Sequence, residues 1–150
     1  MKKKLLPLLL AVVMVFSLAA CGEKKPEKGT DATATEPVVI LHTNDVHGAI
    51  DGYAKVAALA QQYEADGAYV LILDAGDYSQ GDPAVSLSQG ATAVELMNLV
   101  GYDAAALGNH EFDYGFEVLK KNMESAQFPV LAANVKYNGE LAFDDAAVFT

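Results

Sequence analysis

Residues 107–113 read Leu107-Gly108-Asn109-His110-Glu111-Phe112-Asp113, at the end of an apolar run that starts at Ala104. The seven residues include a side-chain amide, an imidazole and two carboxylates. Such oxygen and nitrogen donors suit a hard or borderline divalent metal and acid–base chemistry. The same residue types also occur in ordinary turns that cap a helix. By itself, this stretch is about equally consistent with a metal-binding or catalytic site and with a structural turn.

Two similar polar clusters come earlier in the chain, each at the end of an apolar run. They are Asp45-Val46-His47 and Asp74-Ala75-Gly76-Asp77, so that 30 residues separate His47 from Asp77 and 32 separate Asp77 from Asn109. A strand-helix-strand unit takes about thirty residues, and each cluster therefore falls where one parallel strand ends. Because ligands of open parallel sheets bind outside the carboxyl ends of the strands, the spacing predicts that the three clusters meet at one edge.

From Val38 onward the chain alternates between apolar, β-branched runs and stretches of helical spacing. This pattern predicts strands at 38–43, 69–73, 103–107 and 129–133, and helices at 53–65, 91–100 and 115–126. The first strands are continuously apolar, which is typical of strands buried on both faces. Asn138-Gly139 predicts a hairpin with a type I′ turn. The alternation indicates an α/β fold with a parallel sheet.

The position of each polar residue along its strand predicts its role. Side chains alternate between the faces of an extended strand, so Asp45 and His47 are expected to project to one side and to reach one ion. The same parity directs His42 to the opposite side, where we expect a buried structural histidine. Asp74 begins its loop, and we expect it to brace that loop rather than to bind a metal.

The charge of the chain limits its partners. The formal net charge is −10, with ten Lys and no Arg. Six of the Lys precede Val38, so residues 38–150 hold four Lys against sixteen Asp and Glu, a net charge of −12. A nucleic-acid polymer requires a basic face and is therefore not an expected partner. An acidic chain that handles a phosphate needs another source of positive charge, and metal ions are the obvious one.

The first 37 residues have the composition of an address and a tether. Residues 1–21 consist of a basic start, an apolar run and a small-residue end, which predicts a secretory signal. The apolar run is shorter than the ~20 residues of a membrane-spanning helix, so a retained anchor helix is the weaker alternative. Leu18-Ala19-Ala20-Cys21-Gly22 resembles the lipobox of bacterial lipoproteins, which implies a lipid on Cys21 and an extracytoplasmic, membrane-anchored protein. Residues 22–37 hold no large apolar side chain and are predicted to be a disordered tether.

Taken together, three motifs resemble the first signatures of the calcineurin-like metallophosphatases: Asp45-x-His47, Gly76-Asp77-x-x-x-Gly81 and Gly108-Asn109-His110-Glu111. The flanking stretches, residues 41–45 and 111–113, resemble the branch of secreted 5′-nucleotidases and UDP-sugar hydrolases. The resemblance implies a four-layer αββα sandwich, of which residues 38–150 are expected to form a truncated N-terminal half. In this family the second half supplies further histidine ligands, and this sequence has three histidines in all.

The resemblance also implies a role for each motif residue. Two divalent ions (Zn, Mn, Mg or Fe) are expected, held by four residues: Asp45 and His47 on the first ion, Asp77 on both, and Asn109 on the second. His110 is expected to contact the phosphoryl group, and Asp113 to orient His110.

The implied function is hydrolysis of extracellular nucleotides by a water that the two metals activate. The substrate stays open among 5′-nucleotides, UDP-sugars and 2′,3′-cyclic nucleotides. The 150 residues alone are expected to be inactive. An alternative of another class is a solute-binding lipoprotein without catalysis, which the series of three motifs disfavours because a binder does not need paired metal ligands.

Overall fold

The computed structural model describes residues 36–150, which form a four-stranded parallel sheet with helices between the strands. The strands lie side by side in sequence order: β1 (Val38–Thr43), β2 (Tyr69–Asp74), β3 (Ala104–Ala106) and β4 (Val130–Leu131). The helices are α1 (Asp51–Ala65), α2 (Pro83–Ser86), α3 (Ala91–Val100) and α4 (Phe116–Ser125), with a 3-10 helix at His110–Phe112. The predicted α/β fold with a parallel sheet is confirmed.

The sequential strand order determines where the helices lie. Connections between parallel strands are right-handed, so strands that always step in one direction leave every connecting helix on the same face of the sheet. That face holds the core, in which buried Val70 and Ile72 of β2 belong to one cluster with Ala60 of α1 and with Val94 and Met97 of α3. One sheet covered by one layer of helices is half of a four-layer arrangement.

The opposite face of β1 is open, which corrects the prediction for His42. Val38 and Ile40 are 57% and 58% exposed, and His42, which shares their side of the strand, is exposed as well. In the described residues β1 is therefore covered on one face only, and the prediction that His42 is a buried structural histidine is wrong. The cause is that the helices cover only the face to which the alternate residues of β1 point.

Helix α2 is one element that the sequence pattern did not predict. Its first residue is Pro83, and the side chain of Asp82 accepts a hydrogen bond from Ala84 N at 2.9 Å. A capping Asp followed by Pro is a typical start of a helix, so the local signal was present. Helix α2 lies between the predicted strand at 69–73 and the predicted helix at 91–100, in a stretch for which the pattern predicts no helix or strand.

The predicted hairpin after β4 is confirmed. Strands β5 (Lys136–Tyr137) and β6 (Glu140–Leu141) pair antiparallel around Asn138 and Gly139. Both turn residues have positive φ, 52° and 90°, as a type I′ turn requires.

The predicted signal, the lipidation site Cys21 and residues 22–35 of the predicted tether lie outside the described residues. Between residues 36 and 150, none of the helices combines the length and the apolar composition needed to cross a lipid bilayer.

Candidate metal centre

Three loops meet beyond the carboxyl ends of β1, β2 and β3. The β1 loop runs alongside the β2 loop through main-chain hydrogen bonds: Asp45 N to Gly76 O at 3.1 Å, His47 N to Asp77 O at 3.0 Å and Asp82 N to His47 O at 3.0 Å. The β3 loop joins them because His110 N donates to Asp77 Oδ1 at 2.9 Å. The predicted meeting of the three polar clusters at one edge of the sheet is confirmed.

The backbone conformation of these loops is unusual at the proposed ligands. Asp45, His47 and Asp77 have φ values of 51°, 46° and 63°, three of the five positive values at non-glycine residues between 36 and 150. A left-handed backbone is costly for residues with a Cβ and clusters at functional sites. Asp45 and His47 do project to one side, with Asp45 Oδ1 and His47 Nε2 3.6 Å apart. They do so through this turn rather than through the alternation of an extended strand.

Two glycines allow the β2 and β3 loops to approach closely. A Cβ on Gly76 would lie 2.4 Å from Gly108 N, and a Cβ on Gly108 would lie 2.2 Å from Asp77 Oδ1. Both distances are far below a normal contact, so a larger residue at either position would push the loops apart. The close approach brings the carboxylate of Asp77 beside the start of the 3-10 helix that carries His110.

Three side chains in this cleft offer donor atoms to one point in space. His47, Asp77 and His110 are half-buried, and one donor atom of each lies within 4.8 Å of the others. The two imidazole rings meet edge to face with their centroids 5.2 Å apart. Imidazole nitrogens and carboxylate oxygens are common ligands of divalent ions, which they bind at about 2.0–2.2 Å. The donor set therefore fits a divalent metal.

His47 has a partner that sequence reasoning missed. The side-chain amide of Gln80 lies 3.1 Å from His47 Nδ1. The contacting atom is the amide nitrogen of Gln80, whose N–H donates to Nδ1. A half-turn of this amide would present its oxygen to Nδ1–H and free the lone pair of Nε2 on the side of Asp45, as metal binding requires. Gln80 belongs to the β2 loop but stands outside the motif residues with expected roles, and nothing in its local sequence distinguishes it.

Asp113 orients His110, and the two residues stand at the two ends of one 3-10 turn. The distance from His110 Nδ1 to Asp113 Oδ2 is 2.7 Å. This hydrogen bond raises the pKa of His110 above its usual 6.5, while partial desolvation acts in the opposite direction. Asp113 therefore occupies the place from which it can orient the ring, with Nε2 of His110 left free.

Asn109 and Asp45 are more exposed than the three clustered donors. Asn109 precedes the 3-10 helix, and its carbonyl oxygen accepts a hydrogen bond from Phe112 N at 3.2 Å. Asp45 accepts a hydrogen bond from the amide of Asn44. Both lie on the loops that form the cleft.

Asp74 braces the base of the β2 loop, as predicted. Its buried carboxylate accepts hydrogen bonds from Thr43 Oγ1 at 2.5 Å and from Gly76 N at 2.7 Å. Thr43 Oγ1 is also 2.8 Å from the hydroxyl of Tyr102. Burial raises the pKa of Asp74 to about 6, although these two hydrogen bonds lower it. The carboxylate points into the protein rather than into the cleft.

Glu111 is a second residue whose contacts the sequence did not reveal. It is 2% exposed, and its carboxylate accepts hydrogen bonds from four main-chain N–H groups, those of Asp77, Tyr78, Ser79 and Gly108. Glu111 lies inside the motif of residues 108–111, but its residue type and position in the sequence indicate no role for it.

The site and the fold agree with the comparison to known proteins. Residues 38–146 match the calcineurin-like phosphoesterase family. A parallel sheet with histidine and carboxylate donors at its strand ends defines a candidate metal-binding α/β protein. Because the family match covers most of the described residues, the chain belongs to the calcineurin-like phosphoesterase family. The resemblance inferred from the three motifs is thus confirmed, as is the fold class.

Several relatives carry the name 5′-nucleotidase. The 5′-nucleotidase of Vibrio cholerae serotype O1 is 39% identical over 153 aligned positions, which cover 93% of this chain and 28% of that protein. The snake venom 5′-nucleotidase of Gloydius brevicauda is 37% identical, over 91% of this chain and 25% of that protein. The chain thus spans about a quarter of the length of these relatives.

Solved structures give the same result. The 5′-nucleotidase precursor from Thermus thermophilus is 34% identical with a TM-score of 0.58, over 63% of this chain and 22% of that one. The calcineurin-like phosphoesterase YfkN from Bacillus subtilis is 31% identical with a TM-score of 0.59, over 70% of this chain and 39% of that one.

Proposed function

We propose that this chain forms the metal-binding part of a phosphoester hydrolase that acts on nucleotides, of the 5′-nucleotidase type. The observation that carries the proposal is that two proposed ligands, His47 and Asp77, and the proposed acid His110 bring one nitrogen or oxygen atom each within 4.8 Å of one another at the edge of a parallel sheet. The names of the relatives support nucleotides as the substrate class. The charge of residues 38–150 supports a metal-dependent reaction, since an acidic chain by itself repels a phosphate.

In this proposal the metal ligands come from all three loops. Asp45 and His47 would hold one ion, Asn109 would help to hold a second, and the carboxylate of Asp77 would serve both. A carboxylate suits the shared position because it has two oxygens with about four lone-pair sites, of which one accepts the His110 N–H. When bound, such ions lower the pKa of a water and neutralise charge on a phosphoryl group. Zn, Mn, Mg and Fe all suit these nitrogen and oxygen donors.

His110 is the side chain proposed to donate a proton in the reaction. Its Nδ1–H donates to Asp113, which fixes the ring and leaves Nε2 free for the substrate. A protonated Nε2 can donate to a phosphoryl oxygen or give its proton to the leaving oxygen. The hydrogen bond to Asp113 favours the protonated ring that both roles need.

The proposal is tested by measuring phosphate release in a version of the enzyme extended to the length of its relatives. AMP, UDP-glucose and 2′,3′-cyclic AMP are compared in Mn²⁺, Zn²⁺, Mg²⁺ and a chelator. We expect metal-dependent release from AMP, and no release from the 150-residue chain, in which the second ion would have only Asp77 and Asn109. Release from only UDP-glucose or only the cyclic nucleotide would move the proposal to that substrate. Nucleotide binding without release in any metal would overturn it in favour of a solute-binding protein.

The exposed Asp66 provides a matched control for that assay. It is an aspartate that follows α1, at the opposite end of the sheet from the cleft. Asp66→Ala removes one carboxylate, as Asp77→Ala does, and should leave phosphate release unchanged.

We further propose that the protein is held at the outer side of a bacterial membrane by a lipid on Cys21. The support is the sequence Leu18-Ala19-Ala20-Cys21-Gly22 after a basic and apolar start. Cys21→Ser should abolish incorporation of labelled fatty acid and release the protein into the soluble extracytoplasmic fraction. A variant that stays in the membrane at the level of the wild type would show that the apolar run itself is the anchor.

A further inference from the structure

Glu111 follows His110 directly but points in another direction. Successive residues of a 3-10 helix are about 120° apart around its axis, so His110 can face the cleft while Glu111 faces the interior. Glu111 is 2% exposed, whereas its neighbours Phe112 and Asp113 are exposed. A carboxylate so deeply buried requires compensating partners.

The partners of this carboxylate are main-chain amides from two loops. Oε2 accepts from Gly108 N at 2.6 Å and from Asp77 N at 2.9 Å. Oε1 accepts from Tyr78 N at 2.9 Å and from Ser79 N at 3.1 Å. Each oxygen thus receives two hydrogen bonds, which is the full capacity of an ionised carboxylate. Three of the donors belong to the β2 loop and one to the β3 loop.

We propose that Glu111 is a positioning residue for the metal centre, one that holds the backbone of Asp77 and the start of the β3 loop in the arrangement that brings the donors of Asp77 and His110 together. This inference rests on the proposed metal site. Glu111 acts through the two loops, because its carboxylate is fully occupied by their amides.

Asp77 is connected to Glu111 through its main-chain N–H and to His110 through its side chain. The Asp77 N–H is held by Glu111, and the Asp77 carboxylate accepts the N–H of His110. Asp77 also has a φ of 63°, a conformation that persists only where the surroundings impose it. The hydrogen bonds from Asp77, Tyr78 and Ser79 to a single side chain impose it here.

The geometry distinguishes Glu from its near equivalents at this position. Gln has the same shape, but its NH₂ group would face two main-chain N–H groups that need an acceptor. Asp keeps the charge but is one methylene shorter and cannot reach both loops. Glu111→Gln therefore tests the need for two acceptor oxygens, and Glu111→Asp tests the need for the length of the side chain. Glu117, exposed in the first turn of α4, gives the matched control Glu117→Gln.

The first measurement is amide hydrogen exchange by NMR in the metal-free 150-residue chain. In the wild type, the amides of Asp77, Tyr78, Ser79 and Gly108 should exchange at least tenfold more slowly than free peptide. In Glu111→Gln they should lose this protection, while amides of the β2 ladder keep theirs. Exchange of the four amides at free-peptide rates in the wild type would overturn the proposal before any variant is made. Loss of protection throughout β2 in both Glu111 variants would overturn it too, because Glu111 would then support the whole fold.

The second measurement is a titration with Mn²⁺ followed by calorimetry. Glu111→Gln should raise the half-saturating Mn²⁺ concentration roughly tenfold, Glu111→Asp should raise it less, and Glu117→Gln should leave it unchanged. Unchanged affinity in Glu111→Gln, with the four amides unprotected, would show that the loops do not need Glu111 to form the site. A wild-type chain that binds no Mn²⁺ would overturn the proposed metal site, and the exchange data would still decide whether Glu111 fixes the loops.

Discussion

The main-chain N–H of His110 donates a hydrogen bond to Asp77 Oδ1 over 2.9 Å, between residues 33 positions apart in the chain. The loop that carries His110 is thereby attached to a side chain of the neighbouring loop. The same carboxylate is the one proposed to share its oxygens between two ions. If the proposed roles hold, a change at Asp77 would remove a ligand and a connection between loops at once, whereas a change at Asn109 would remove a ligand alone.

Asp77→Ala should be the most damaging single change to metal content in the extended enzyme. We expect almost complete loss of both ions, because the shared ligand is gone and the β3 loop is no longer held at His110 N. Asn109→Ala should keep about one ion per molecule. Elemental analysis after gel filtration measures both, with Asp66→Ala as the control. Two ions retained in Asp77→Ala would contradict the shared position.

His110→Ala should lower turnover of the extended enzyme by roughly 10²–10⁴-fold, the usual size of an acid–base contribution, with its metal content unchanged. Asp113→Ala should lower turnover less, since the ring stays in place and loses only its orienting acceptor. The measurement is steady-state phosphate release together with elemental analysis. Because a donor atom of His110 lies within 4.8 Å of donors from His47 and Asp77, a fall in metal content in His110→Ala would identify it as a ligand instead.

Asp74 should make the stability of the metal-free chain depend on pH. Burial raises its pKa from 3.8 to about 6 in the folded state. Between about pH 4 and pH 6 the folded state therefore binds more protons than the unfolded state. Stability contributed by Asp74 is therefore present below about pH 4 and is lost as the pH rises through about 6, by up to about 3 kcal/mol.

The comparison with Asp74→Asn isolates this effect. The free energy of unfolding is measured by urea melts with chelator present. The value for the wild type minus the value for Asp74→Asn should decrease from pH 4 to pH 6. Asp145→Asn, at an exposed aspartate, is the control for the removal of a carboxylate as such. A wild-type advantage that grows with pH would show that the Asp74 carboxylate is favoured in its ionised form.

Two neighbouring tyrosines should respond differently to loss of their hydroxyls. The rings of Tyr53 and Tyr102 meet edge to face, 6.2 Å apart. The Tyr102 hydroxyl is bonded to Thr43, whereas the buried Tyr53 hydroxyl has no hydrogen-bond partner among residues 36–150. Tyr102→Phe should cost about 1 kcal/mol of stability, and Tyr53→Phe should be neutral or stabilising. Urea melts measure both, and a larger cost for Tyr53→Phe would reveal an ordered water on that hydroxyl.

The position of the site could be predicted from the sequence because it depends on spacing. Steps of 30 and 32 residues between the clusters at His47, Asp77 and Asn109 place all three at strand ends, and the ends of parallel strands share one edge. The exposure of His42 could not be predicted in this way. A continuous apolar run such as residues 38–41 shows that a strand forms but not which of its faces a helix covers.

The contacts of Glu111 and Gln80 could not be predicted for a different reason. Both depend on the path of the β2 loop, which turns through a left-handed residue at Asp77. Strand periodicity assumes an extended chain and gives no information beyond the point where the chain leaves that conformation. Main-chain amides are also the same in every residue, so four of them around one carboxylate leave no mark in the sequence.

The sequential order of β1 to β4 has a consequence for how the chain reaches its fold. Each strand pairs with the one that precedes it, and partners such as Val38 and Tyr69 are 31 residues apart. Ribosomal synthesis delivers the strands in that same order, so the sheet can grow by one strand at a time without waiting for a later segment to insert between earlier ones. The β1 and β2 loops are synthesised before the β3 loop, so the carboxylate of Glu111 becomes available to the amides of the β2 loop only after both of them.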